Sequence, residues 1–329
     1  MKTIVTTNSV GFSVIVPTFN RAHLLSLTLD AILNQRLPPA EVIVADDGST
    51  DNTAEIVAKY GDRVRLLRLF NGGPPAARHA GVCASQYDLI AFCDSDDLWR
   101  PDHLLKLGTL IEGSGVPYAF SNFVHVRDEV WETRDKFANA PVGYWRCADH
   151  AVGDGTAFAN APLFPSILEF QPIFPSCTAM TRRFYDHVGG YSACFGRTPS
   201  EDLEFTLRCV REAPTGIVLS PTVGVRKHSG NLSRNLLKQL VGEIKILEWS
   251  RRHHRVTPEW AEALNRQIAG RAVQAFDQAF CTSDLGLARR LIPHLLPRPR
   301  SFKFRLKLAV AALPDALAVP LSSALAGRA

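Results

Sequence analysis

Three carboxylates, Asp94, Asp96 and Asp97, follow the apolar run Leu89-Ile90-Ala91-Phe92-Cys93, where a buried strand would leave a sheet. Acids this close repel one another, and a hard divalent cation that itself bridges a polyphosphate relieves the repulsion. Magnesium or manganese suits such oxygen ligands. The same residues also fit a helix start, with Asp97 capping the helix that Pro101 opens and Asp102 favouring its dipole.

Three further segments decide between these readings. Phe12-Ser13-Val14-Ile15-Val16 is a β-branched run stopped by Pro17, followed by Thr18-Phe19-Asn20-Arg21 and helical periodicity at Ala22, Leu25, Leu29, Ile32 and Leu33. Glu41-Val42-Ile43-Val44-Ala45 is a second strand, ending in Asp46-Asp47-Gly48-Ser49-Thr50-Asp51, a helix start. Asn71-Gly72-Gly73-Pro74-Pro75 is a loop running into a helix that carries Arg78 about one turn in, where an arginine can reach a phosphate.

The pattern is β-α-β-α-β-α-β, an acidic turn and a helix over 13–112, with strands near 13–17, 41–45, 64–69 and 88–93. Such alternation implies a mostly parallel sheet with helices on both faces, and ligands bind beyond the carboxyl ends of its strands. Singly, Asp46-Asp47-Gly48-Ser49 is ordinary turn chemistry and Arg78 an ordinary surface ion pair. Their convergence on one sheet edge makes those readings weaker than they are alone.

With these motifs in place, the chain resembles the inverting family 2 glycosyltransferases of the GT-A fold. The resemblance rests on Ser13–Arg21, Asp46–Asp51, Ala77-Arg78-His79-Ala80-Gly81 and Asp94–Asp97, and continues through Val188-Gly189-Gly190-Tyr191, Glu201–Arg208 and Arg226-Lys227-His228-Ser229. Two departures stand out: His79 replaces the usual asparagine, and 127–175 follows no pattern of the family. The resemblance implies a GT-A, Rossmann-like sheet over 1–235, with 127–175 as an insertion forming the acceptor region, and a helical extension over 236–329.

It also implies roles for particular residues. Pro17 and Thr18 would line the nucleobase pocket with main-chain groups, beside Asn20, and Asp47 would accept a hydrogen bond from the base. Arg78 would steady the base or diphosphate. Asp94, Ser95 and Asp96 form the D-x-D, with Asp94 nearer the ribose or donor sugar. Asp96 and Asp97 would hold a divalent metal, Mn2+ or Mg2+, against the diphosphate, with His228 near it. Asp202 would be the catalytic base, and Glu201 would position the acceptor or orient Asp202. The donor would be a nucleotide-diphosphate sugar, a UDP-sugar first among the candidates. The acceptor would be a hydroxyl of a glycan or lipid-linked molecule in cell-surface polysaccharide or glycolipid synthesis.

Inversion is a single in-line displacement, so the leaving diphosphate needs its developing charge held and the acceptor hydroxyl needs a carboxylate on the opposite face. Glu201-Asp202 also reads as a helix start, with Ser200 as N-cap and Leu203, Leu207 and Val210 turned to the core. Both readings hold together, because a helix start is a rigid mount for a base. His228 equally suits a loop histidine bonded to backbone. A catalytically silent nucleotide-sugar binder of the same fold is the alternative function, and the joint presence of Asp96, Asp97 and Asp202 favours the enzyme.

Composition sets outer bounds. At 329 residues, 46% hydrophobic, the chain can bury a sizeable α/β core with an appended element. Its seven scattered cysteines argue against a disulfide framework or zinc knuckle, and Cys83 and Cys93 fall where buried positions are expected. The polar start Met1–Ser9 is too short for a signal peptide, which makes the cytoplasm the expected compartment. Aromatics in the insertion, Trp131, Tyr144, Trp145, Phe158 and Phe170, would either stack on an acceptor sugar or seal a small core.

Beyond 235 the periodicity is helical, with Trp260, Leu264, Ile268, Ala272, Phe276 and Phe280 in one helix and Leu285, Leu287, Leu291 and Ile292 in the next, predicting a hairpin. Between 289 and 307 lie seven basic residues and no acid, more than the whole net charge of +5. The apolar stretch 308–326 follows, broken by Pro314, Asp315 and Pro320. Together, 289–326 suits either an anionic membrane surface, peripheral on its inner face, or a solvated basic face with a docked terminal helix. No nucleic-acid module is recognisable, so nucleic acid is not an expected partner.

Overall fold

The computed structural model describes residues 11–150, 155–212, 214–228, 235–296 and 301–326. The N-terminal stretch 1–10, residues 229–234, and Arg298 and Arg300 of the basic stretch lie outside the described residues. Two compact units are distinguished: a larger one through Arg197 with 205–229, and a smaller one of Thr198–Glu204 with the helices beyond 230.

The larger unit begins with β1 (Phe12–Thr18), α1 (Ala22–Leu33), β2 (Glu41–Asp46), α2 (Thr53–Ala58), β3 (Arg65–Arg68), α3 (Pro74–Ala84), β4 (Leu89–Phe92) and β5 (Leu98–Trp99). It continues through α4 (His103–Ser114), β6 (Tyr118–Arg127), β7 (Val130–Trp131), β8 (Asp149–His150), β9 (Thr156–Ala159), α5 (Phe164–Glu169), β10 (Thr178–Thr181) and α6 (Arg182–His187). Helix α7 (Asp202–Cys209) then leads to β11 (Thr215–Arg226).

Every residue of β1 is buried, as the unbroken β-branched run requires of a central parallel strand. Parallel pairing sets Val14 opposite Val42 and Ala91, and Thr18 opposite Asp46, so β1, β2 and β4 end together at one edge. The full order is β3-β2-β1-β4-β10-β6-β11-β9-β8, with β10 antiparallel to both neighbours. The expected parallel half is therefore present, and a second half, β10-β6-β11-β9-β8, is added to it. In β11, Pro221 falls where the register with β6 shifts, which is where a strand tolerates a residue with no N–H.

One face of the sheet packs Val14, Val16 and Val44 against Leu25, Leu29, Leu104 and Leu107 of α1 and α4. The helix expected from Pro101 begins at His103 instead, and Asp97 does not cap it: Asp102 occupies the cap position. Of the two cysteines expected to be buried, Cys93 is and Cys83 is exposed. The described residues of the insertion form secondary structure of their own. Its β8–β9 hairpin extends the sheet beyond β11. Phe137, Trp145, Tyr144 and Phe170 pack edge to face or tilted, with centroids 4.4–5.3 Å apart, so these aromatics seal a small core.

In the smaller unit α8 (Leu236–His253) and α9 (Pro258–Cys281) form a long hairpin, followed by α10 (Leu285–Leu291), α11 (Phe302–Ala311) and α12 (Asp315–Ala326). The four-residue recurrence seen in the sequence is the buried stripe of α9, from Leu264 to Phe280. Phe304 of α11 lies 5.0 Å from Phe276, and Arg289 donates to the Ala311 and Leu313 carbonyls, so the apolar tail docks on this unit. Among the described residues no helix is long and apolar enough to cross a membrane.

Candidate active site

The residues singled out at the sheet edge fall into two connected groups. The first gathers at the ends of β1 and β2. Asp47 is 2% exposed, and its Oδ1 accepts from the Gly72 amide at 2.7 Å while Oδ2 accepts from the Gly73 amide at 3.0 Å. Its own amide donates to the Thr18 carbonyl at 2.9 Å, tying the two strand ends together. Asn20, at φ +53, accepts from the Thr50 and Asp51 amides, so its side chain serves as a clasp between the two turns.

Sequence reasoning missed Arg197. Its guanidinium donates to Asp47 Oδ2 at 2.9 Å and to Asn71 Oδ1, and lies 4.0 Å from the centre of the Phe19 ring. Gly73, at φ +91, lets this happen: a Cβ there would stand 2.5 Å from the backbone of Gly196, next to Arg197. No local signal in the sequence marks Arg197, because it reaches Asp47 only through folding of a segment 150 residues away.

The second group surrounds the acidic turn after β4. Arg78, 3% exposed, donates to Asp94 Oδ1 at 2.7 Å and lies 5.2 Å from the Tyr191 ring centre. Ser95 is buried and its carbonyl accepts from Thr28. Asp96 Oδ2 lies 2.9 Å from His228 Nε2 and 3.8 Å from Arg21 Nε. Burial pushes the Asp96 carboxyl up, but the His228 hydrogen bond and the charges of His228, Arg21 and Arg226 outweigh it and hold the group below the usual carboxylate range.

Asp97 has the opposite balance. It is 4% exposed, with Oδ2 accepting from Ser176 Oγ at 2.5 Å and Oδ1 from the Arg226 amide at 3.1 Å. Burial and then the charges of Asp96 and Asp94 raise its carboxyl well above the usual range, against those two hydrogen bonds. Ser176 also accepts from the Asp94 amide, and buried Arg226 bonds the Asp96 carbonyl, the Leu24 carbonyl and Thr28 Oγ1. Ser176 and Arg226 are thus the framework of the acidic turn, and neither was singled out individually from the sequence.

Beyond this turn, Lys136 of the insertion sits 4.3 Å from the Phe170 ring centre, and burial followed by the charge of Lys227 lowers its pKa. Burial likewise lowers that of Lys227, against the attraction of Asp97.

Glu201 and Asp202 belong to the smaller unit. Glu201 is 9% exposed, and Asp202 opens α7, whose Leu203 and Leu207 are buried as expected, as is Val210 just past its end. Ser200 is not the N-cap: it takes φ +63 and its hydroxyl points to Glu243 Oε1 at 3.5 Å. Glu204, in the same turn, lies 2.9 Å from His254 Nε2.

The sheet edge thus carries an Asp-x-Asp turn with an arginine on Asp94 and a histidine on Asp96. The sequence profile of glycosyl transferase family 2 matches residues 13–185, more than half of the chain, and the chain belongs to that family. It is 37% identical over 225 residues to the chondroitin synthase of Pasteurella multocida, covering 61% of this chain and 23% of the synthase. An uncharacterized glycosyltransferase of Nostoc sp. is 32% identical over 108 residues, 32% of this chain and 34% of that one, so this chain spans about a third or less of these relatives' length. The fold is shared with Staphylococcus aureus TarS 1–349 in complex with UDP-GlcNAc, at TM-score 0.60 and 18% identity over 96% of this chain and 83% of the other. It is shared also with the mannosyltransferase PcManGT of Pyrobaculum calidifontis in complex with GDP-Man and Mn2+, at TM-score 0.54 and 16% identity over 95% and 84% of the two chains.

Proposed function

We propose that this protein is an inverting glycosyltransferase that moves a sugar from a nucleotide-diphosphate donor, a UDP-sugar, to a hydroxyl of a glycan or lipid-linked acceptor in polysaccharide synthesis, working on the cytoplasmic side of a membrane. The observation that carries it is the pairing of Asp96 with His228 at the ends of β4 and β11, alongside Arg78 on Asp94.

A carboxylate oxygen and an imidazole nitrogen 2.9 Å apart, each in a partly exposed side chain, fit a divalent cation. Among the described residues no group of three acids, histidines or cysteines could hold one, so diphosphate and water would supply the other positions. Asp96 and His228 would hold Mn2+ or Mg2+, which when bound neutralises the charge developing on the leaving diphosphate. Both Asp97 oxygens already accept hydrogen bonds, from Ser176 and the Arg226 amide, so we assign it the support of Asp96. PcManGT, with Mn2+ and GDP-Man, is consistent with this reading.

The chain's own groups do the rest. Asp47, fixed by Gly72, Gly73 and Arg197, presents the base pocket with Pro17 and Thr18, and Arg78 steadies Asp94 beside the sugar or ribose. Asp202 takes the proton of the acceptor hydroxyl as its oxygen attacks the anomeric carbon, and Glu201 positions it. Asp202→Asn is expected to lower transfer by ~10²-fold or more while donor affinity stays within about twofold. Wild-type turnover in that variant, or retention of anomeric configuration by NMR of the product, overturns the reading.

A further inference from the structure

Helix α12 presents its apolar residues outward. The residues it turns to the smaller unit are Ala318 and Ser322, both fully buried, whereas Leu317 is 56%, Val319 44% and Leu321 44% exposed. A helix whose final environment is water shows the reverse. The inward choice has a local cause, since Ser322 Oγ lies 3.4 Å from Ser283 Oγ and donates to the Val319 carbonyl.

Helix α11 continues the pattern. It buries Phe304, Lys307, Val310 and Ala311 and leaves Phe302 81% and Leu306 37% exposed, with Lys303 and Arg305 exposed beside them. Lys307 is committed to Asp277, and Asp315, the one acid between 301 and 326 in the sequence, is held by Arg289 at 2.8 Å. The outward faces are thus apolar and basic, with no free acid to balance them.

We propose that α11 and α12 form a docking surface for an anionic lipid bilayer, with Leu317, Val319, Leu321 and Phe302 entering the acyl boundary and Lys303 and Arg305 meeting lipid phosphates. Charge selects this occupant. In a two-fold contact with a second copy the same basic surface, whose one acid Asp315 is already paired with Arg289, would face itself, whereas an anionic leaflet attracts each of these cations. The helices lie in the interface and do not span it. The inference rests on the proposed function only in giving the surface its purpose, which is to hold the enzyme where a lipid-linked acceptor resides.

The experiment is sedimentation of the full chain with vesicles of phosphatidylcholine alone and with about 30% phosphatidylglycerol. Binding to the anionic vesicles is expected, at least ~10-fold weaker to the neutral ones and weakened again by about 0.5 M salt. Leu317→Ser/Val319→Ser/Leu321→Ser and Lys303→Glu/Arg305→Glu, all at exposed positions, should each lower binding ~10-fold or more with unchanged melting temperature. Vesicle binding equal to the unaltered chain in either variant, or none by the unaltered chain, overturns the proposal. So does a serine variant that dissociates an oligomer in light scattering while still binding vesicles, which would give the face to a second copy. UDP-sugar hydrolysis is measured on the same samples: hydrolysis without vesicle binding removes the docking surface alone, and vesicle binding without hydrolysis removes the transferase reading alone.

Discussion

Two side chains show most directly what burial does to charge. Arg197 bridges Asp47 and Asn71 over the Phe19 ring, so it neutralises a carboxylate that is 2% exposed and would wall the proposed base pocket. Arg197→Ala leaves that carboxylate with two backbone donors and no cation, a loss of about 1–3 kcal/mol in the local bonding. Nucleotide affinity is expected to fall about 10-fold or more, with Arg197→Lys recovering only part, as titration calorimetry with UDP would show. His103 makes a different prediction. It is fully buried, bonded through Nδ1 to Thr222 Oγ1 at 2.7 Å, and burial pushes its pKa from 6.5 down to about 3. Between those values the unfolded chain binds a proton that the folded chain refuses, so stability present above pH 6.5 is lost as the pH falls through this window. The slope is on the order of 1 kcal/mol per pH unit. His103→Gln should flatten that slope in urea titrations run between about pH 6.5 and pH 4.5.

At the scale of elements, the turn that opens α7 is clamped by α8 within the smaller unit. Gly242 of α8 passes so close to Pro199 that an added Cβ would stand 2.3 Å from its carbonyl oxygen. Glu243, next to it, meets Ser200 and also pairs with Arg271, while His254 holds Glu204. A backbone oxygen cannot swing aside as a flexible side chain can, so Gly242→Ala must displace the 198–204 segment that carries Asp202. If Asp202 is the base, as proposed, kcat is expected to fall ~10-fold or more with the affinity for UDP unchanged, because misplacing a base by a fraction of an ångström costs rate rather than donor binding. Equal loss of nucleotide affinity would show that the clamp serves general stability instead. This support was invisible in the sequence: Gly242 lies inside an ordinary amphipathic helix, where a glycine marks no contact by itself.

For the whole molecule, the tail matters to folding as well as to any surface it meets. Phe304 packs on Phe276, Lys307 pairs with Asp277, and Arg289 ties α10 to the α11–α12 junction. Truncation after residue 288 would uncover the apolar stripe of α9 and strand Asp277. It is expected to lower the melting temperature by several degrees, at about 4–8 °C per kcal/mol in a small domain, and to promote aggregation. A truncated chain with unchanged thermal denaturation would contradict this.

The sequence by itself determined the parallel half of the sheet. Its strands are short β-branched runs and its turns are Asp, Gly and Pro, so periodicity and turn chemistry, which act over a few residues, place β1, β2 and β4 and the polar residues at their ends. It also determined the order of motifs that made the family legible, and the burial stripe of α9. What it could not determine depends on contacts between distant segments. The hydrogen bonds that bury Asp97 come from Ser176 and Arg226, 79 and 129 residues away. The insertion becomes strand because its segments complete an edge of β11, and its aromatics become core because Phe120 and one another lie within reach. The outward apolar face of α12 follows the same logic: composition gives an apolar helix, but only docking on α9 and α10 selects which side is buried. Local pattern fixes what an element is, and the energy of burying it against remote partners fixes which of its side chains are left free for chemistry.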